Sequence, residues 1–242
     1  MKYKKINKTS LITVLLAVLG VCLLVVGGIG GARAALTESD DYTAEMTALT
    51  VQAQLNENGE AVCDSSSEEV GTLLADVTSL DVGKPYNEAL TVTNTGSADA
   101  FVRITLYKYW TAVDPESEEE MKRLDLDPKY INLIFGSDWQ EDKSASTKER
   151  TVLYYTKALK PGETSSDALK KIAASSDLSK LVKQDVTETD GRTVITSTYK
   201  YDGLNLNLEA SVDAIQTHNA QDAIKAAWGV NVTATETTLS VN

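Results

Sequence analysis

Few residues in this 242-residue chain are of types that usually carry chemistry, and their spacing limits what they can do. His218 is the only histidine, which rules out an H-E-x-x-H zinc helix and any site built from several imidazoles. Asp213 lies close before it in sequence, so a Ser-His-Asp arrangement is formally open, yet no G-x-S-x-G elbow accompanies the pair. A hydrogen-bonding histidine at a strand-to-helix corner is the simpler reading. There is no phosphate loop, no dinucleotide fingerprint and no D-x-D-x-D-G calcium loop. Tyr107, Tyr109, Trp110, Tyr154 and Tyr155 either line a ligand groove or, as is commoner on strands, form core and cross-strand packing. No catalytic residue and no metal ligand is assigned, no cofactor is expected, and the chain reads as a non-enzyme.

The elements that would position these residues follow an N-terminus with a different task. Lys2, Lys4, Lys5 and Lys8 precede a run from Leu11 to Ala32 without a charged side chain. Ala32-Arg33-Ala34 then offers small residues at the two positions a signal peptidase inspects, after Gly27, Gly28, Gly30 and Gly31 have weakened the helix. Residues 1–34 are expected to be a signal peptide cut between Ala34 and Ala35. The alternative is a retained signal anchor, since so long an apolar run can cross a hydrocarbon core of about 30 Å. In both cases the lysines stay inside and the rest is exported, with membrane contact only through an uncleaved segment. Val21 before Cys22 disfavours lipid attachment.

With 18 basic residues against 35 acidic ones, the mature chain carries a formal charge of −17. Nucleic acid would be repelled, whereas weak surface binding of calcium is expected. Once Cys22 leaves with the signal, Cys63 has no partner within the chain, so folding must rest on the core and Cys63 should be dispensable for it. A chain of this length buries enough apolar surface to fold on that basis.

Residues 35–44, ALTESDDYTA, read as a mobile leader, and 45–242 as one domain. Leu49, Val51, Ala53 and Leu55 alternate with polar residues as a strand ending at the turn Asn58-Gly59. Further strands are expected at Leu90–Thr93, Phe101–Trp110, Thr151–Ala158 and Leu204–Val212, with a hairpin at 186–201 turning on Asp190-Gly191. Helices are expected over 114–136, with Glu118, Glu119 and Glu120 at their start, and over 166–183. A short helix at 220–228, capped by Asn219 and stopped by Gly229, precedes a last strand or two. Seven or eight strands without regular strand–helix alternation predict a mainly β fold, an antiparallel sandwich with short helical inserts.

Four stretches carry a family resemblance: Arg33–Thr37 with Ser39–Tyr42, Leu90–Trp110 (LTVTNTGSADAFVRITLYKYW), Val152–Glu163 (VLYYTKALKPGE) and Glu209–Gly229 (EASVDAIQTHNAQDAIKAAWG). With their spacing they resemble the TasA and camelysin family of exported bacterial matrix proteins. The resemblance implies a jelly-roll-like sandwich, an extracellular or cell-surface location, a dedicated signal peptidase, and assembly into fibres or a coat as a homo-oligomer. The peptidase label that some members carry is not transferred, because the chain has no recognisable zinc ligands. An extracellular carbohydrate- or host-binding module is the second reading, and a camelysin-like peptidase the third. In the leading reading the N-terminal segment from Ala35 to about Leu55, with Leu36, Tyr42, Met46, Leu49 and Val51, is donated as a strand to the next copy.

Overall fold

The computed structural model describes residues 49–66, 70–74, 80–114, 116–189, 191–201 and 203–242. The expected signal segment 1–34, its cleavage residues Ala32, Ala34 and Ala35, the leader 35–44, and Leu36, Tyr42 and Met46 lie outside the described residues.

Alternation of apolar and polar side chains dominates the described chain, and antiparallel strands are what it forms. β1 (Ala53–Glu57) and β2 (Glu60–Asp64) make a hairpin on Asn58 and Gly59, both at positive φ as a two-residue turn requires. β3 (Gly71–Thr72) is short; β4 (Pro85–Asn94) and β5 (Ala100–Val113) are long, and β6 (Glu120–Lys122) folds back on the end of β5. β7 (Ile131–Phe135), β8 (Trp139–Glu141), β9 (Arg150–Tyr155) and β10 (Leu169–Ala174) follow. β11 (Val182–Thr189) and β12 (Arg192–Tyr199) form a separate hairpin. β13 (Asn205–Gln216), helix α1 (Ala220–Trp228), β14 (Val232–Ala234) and β15 (Leu239–Val241) complete the chain.

Two sheets face each other. The front sheet has the order β2-β1-β4-β10-β7 and the back sheet β3-β13-β5-β9-β8. From β4 onward the chain passes from sheet to sheet at most connections, the jelly-roll-like trait of this sandwich. Leu55, Leu90, Val92, Leu169 and Ile172 of the front sheet enclose one core with Val102, Ile104, Leu106, Leu153 and Leu208 of the back sheet. A second apolar layer covers the opposite face of the back sheet, where Phe101, Val152 and Tyr154 meet Ala220 and Ile224 of α1, Val232 and Leu239. Strand β9 is therefore buried on both faces, as its run of apolar residues predicts.

The two expected helical excursions are mainly extended. Over 114–136 the structure has β6, a single 3-10 turn at Pro128–Tyr130 and β7; over 166–183 it has β10, a 3-10 turn at Ser176–Lys180 and the start of β11. In β10 the pairing register slips between Leu169 and Lys171, so Leu169, Ile172 and Ala173 fall at helix-like spacing while remaining in a strand. Glu118 to Glu120 accordingly cap no helix: Glu118 has a positive φ in a turn and Glu120 begins β6. Helix α1 lies where expected, but Asn219 adopts the left-handed conformation and makes no side-chain cap. The first strand also starts later than the alternation suggests. Ala53 and Leu55 are fully buried in β1, whereas Leu49 and Val51 precede it and Leu49 is 69% exposed. The donated segment expected to run to Leu55 must therefore end upstream of β1, which belongs to its own sheet.

Candidate assembly surface

An antiparallel sheet exposes unmade backbone hydrogen bonds only at its edges, so the edges decide what can be added. β13 pairs with β5 along its whole length, from Asn205↔Thr111 to Gln216↔Ala100, without a register shift. On its other side the only strand partner among the described residues is β3, opposite Glu209 and Ala210. The Leu73 amide donates to the Leu208 carbonyl at 2.9 Å, which fixes the even-numbered residues of β13 as those whose backbone groups face outward. Leu206, Val212, Ala214 and Gln216 thus turn N–H and C=O away from β5; no described strand pairs with them, although the Val212 backbone lies against the Cys63 thiol of β2.

β3 lies close because Gly71 has no side chain; a Cβ there would stand 2.3 Å from Val62 Cγ1. The neighbouring Cys63 thiol donates to the Ala210 carbonyl at 3.6 Å, and burial pushes its pKa up, keeping it protonated. Cys63 is half-buried and is the free thiol among the described residues.

The loop after β4 holds the segment leading into β1. Amides of Thr95 and Gly96 both donate to the Gln52 carbonyl at 3.0 Å, and those of Ser97 and Ala98 donate to the Thr50 carbonyl at 2.9 and 3.2 Å. The Thr50 amide returns a bond to Ser97 Oγ at 2.9 Å. A side chain at position 96 is excluded, since its Cβ would lie 2.4 Å from the Thr50 carbonyl oxygen. Asn94 braces this clamp: its Nδ2 donates to the Ala98 and Leu159 carbonyls at 2.8 Å, and its Oδ1 accepts from the Gly96 amide at 2.9 Å. The Asn94-Thr95-Gly96-Ser97 sequence is legible as a turn; that it grips another part of the chain is not. Asp99 follows directly and its carbonyl accepts from the Thr217 amide at 3.0 Å, so the clamp adjoins the C-terminal end of β13.

The residues considered for catalysis are not brought together. Asp213 is held by Arg103, with Nη2 and Nε at 2.7 and 3.0 Å from Oδ2, and that guanidinium lies 4.8 Å from the Trp228 ring, latching α1 to the sheet. His218 is exposed and makes no side-chain hydrogen bond among the described residues. Trp110, Tyr154 and Tyr155 are core residues. Tyr109 donates to Glu209 Oε1 at 2.6 Å beneath Lys122, and burial followed by this acidic partner raises its pKa to about 12. Glu120 accepts from Thr111 and from Asn205, and the first of these bonds leads in holding its carboxyl below the usual range. Among the described residues no group of three or more His, Cys, Asp or Glu is placed to hold a metal ion. Comparison with protein-family models, with curated proteins and with solved structures returns no match.

Proposed function

We propose that this chain is a secreted structural protein of the cell surface or extracellular matrix, which assembles into fibres by strand donation. The observation that carries the reading is the outer side of β13, where a twelve-residue strand has a two-residue partner. A donated segment pairing there gains backbone hydrogen bonds almost irrespective of side chain, which suits the polar stretch 35–48. The clamp at Thr50 and Gln52 supports the reading, because it anchors the chain immediately before β1. The resemblance of the four quoted stretches to TasA and camelysin proteins points the same way, as does the lysine-led N-terminus. The formal charge of −17 opposes association, so calcium or high salt favours assembly by binding or screening carboxylates.

The test compares protein secreted from the full-length chain with a version lacking residues 35–44 and with Ala214→Pro, by electron microscopy and light scattering with and without calcium. Ala214→Pro removes an amide that faces away from β5, so pairing with β5 and the melting temperature are retained while the added strand loses a donor. Filaments in the parent and none in either variant are expected. Identical filaments in all three, or none in any, would overturn strand donation.

A further inference from the structure

The β11–β12 hairpin has an apolar face that no described residue covers. Its root is fixed: Tyr201 meets Trp110 and Tyr130 edge-on at 5.2 and 5.5 Å, its hydroxyl accepts from the Asp127 amide at 2.9 Å, and the Lys200 amide donates to the Leu181 carbonyl at 3.0 Å. Beyond that root every residue of β12 is exposed. The register places Val182 opposite Tyr199, Gln184 opposite Ser197, and Val186 opposite Ile195, all on one face. Val186 and Ile195 are 61% and 59% exposed, far more than a β-branched pair in a finished sheet.

From the root outward the rows along this face are apolar, polar and apolar, the middle one being Gln184 and Ser197 with side chains 3.4 Å apart, and Glu188 opposite Thr193 follows at the tip. The first three rows are complementary to themselves when reversed. If a second arm is laid face to face and antiparallel, Val182 and Tyr199 meet Val186 and Ile195, while the Gln184–Ser197 row meets its own copy. Charge favours the same partner. Residues 182–201 contain three basic and three acidic side chains, so two arms approach without the repulsion that the rest of this acidic chain imposes.

We infer that the β11–β12 arm is a contact between two copies of this chain, packed face to face about a twofold axis that crosses the strands at Gln184 and Ser197. Two eight-residue strands present a face of roughly 25 by 10 Å. That is well below the usual 1,200–2,000 Å² of a stable interface, so the contact dissociates on dilution and serves to join copies held close by other means. It uses a surface separate from the β13 edge.

The experiment uses protein secreted from the full-length chain carrying Cys22→Ser and Cys63→Ser, with one new cysteine in the arm, either Gln184→Cys at the inferred axis or Thr187→Cys on the opposite face. Facing sheets stand about 10 Å apart, beyond the roughly 7 Å that a disulfide can bridge, so a short bismaleimide is the cross-linker: Gln184→Cys should give covalent dimer and Thr187→Cys little. Adding Val186→Thr and Ile195→Thr, which keep β-branching but remove apolar contact, should lower the Gln184→Cys dimer yield about tenfold. Equal cross-linking from both faces, no dimer from Gln184→Cys, or cross-linking of Gln184→Cys to a different protein would each overturn the inference. Loss of filaments without loss of this dimer would overturn strand donation alone.

Discussion

The centre of the back sheet and the β11–β12 arm are built from the same kind of sequence and end in opposite surroundings. Val152 to Tyr155 (VLYY) and Val194 to Tyr199 (VITSTY) are both antiparallel strands of strand-favouring residues with regular pairing. In β9 every residue from Thr151 to Tyr155 is buried, between the inner core on one face and α1 with β14–β15 on the other. In β12 none is. Strand formation therefore follows from local alternation and a turn, whereas stability follows from what covers the faces, because burying a Val or Ile side chain contributes about 1.5–3 kcal/mol and pairing alone leaves a lone hairpin marginal.

The sharpest way to break this comparison is to delete equivalent side chains. Ile104→Ala, at a fully buried position, should lower unfolding free energy by about 3 kcal/mol or more, while Ile195→Ala in the arm should cost less than about 0.5 kcal/mol. Urea denaturation of both variants checks this, and similar losses would mean the arm is covered within a single copy after all.

The outer layer should be intermediate. Trp228→Ala removes the ring that stacks against Tyr154 at 5.5 Å and under Arg103, and should cost about 2 kcal/mol while freeing α1 to exchange its amide hydrogens faster than β5. A global loss as large as that from Ile104→Ala would show that both layers fold as one unit rather than as core and cover.

The smallest effect expected is one of pH, at the half-buried Tyr109 of β5. Tyr109 has a pKa of about 12 in the folded chain against 10.0 unfolded, so the folded state holds its proton more tightly. The stability this contributes is fully present below pH 10 and is lost as pH rises towards 12. Stability measured across that window should fall less steeply in Tyr109→Phe than in the parent chain, and an unchanged slope would remove Tyr109 from the account.

How much was legible can be judged from particular elements. The Asn58-Gly59 turn, the strand at Phe101–Trp110, the doubly buried β9, the arm from Val186 onward and α1 were all readable, because each is dictated by a local pattern: positive-φ residues, strict alternation, an apolar run, or helical spacing ended by Gly229. β7 and β10 were not. Their residues carry helix-like spacing, and only neighbours on both sides, with a slipped register at Leu169, hold β10 in the middle of the front sheet. The candidate site was harder still, since nothing in Asn205 to Gln216 distinguishes an edge strand from a central one.

By itself, then, the sequence determined that the chain is acidic, strand-rich, poor in histidine and cysteine and led by lysines and an uncharged apolar run, because composition and short-range periodicity are properties of neighbouring residues. Tertiary structure decided which described strands lie at edges, that Gly96 and its loop grip Thr50 and Gln52, and that one hairpin stands uncovered by the described residues, because each depends on which distant segments meet. Burial and open backbone hydrogen bonds are set by partners far away along the chain, and no local pattern encodes them.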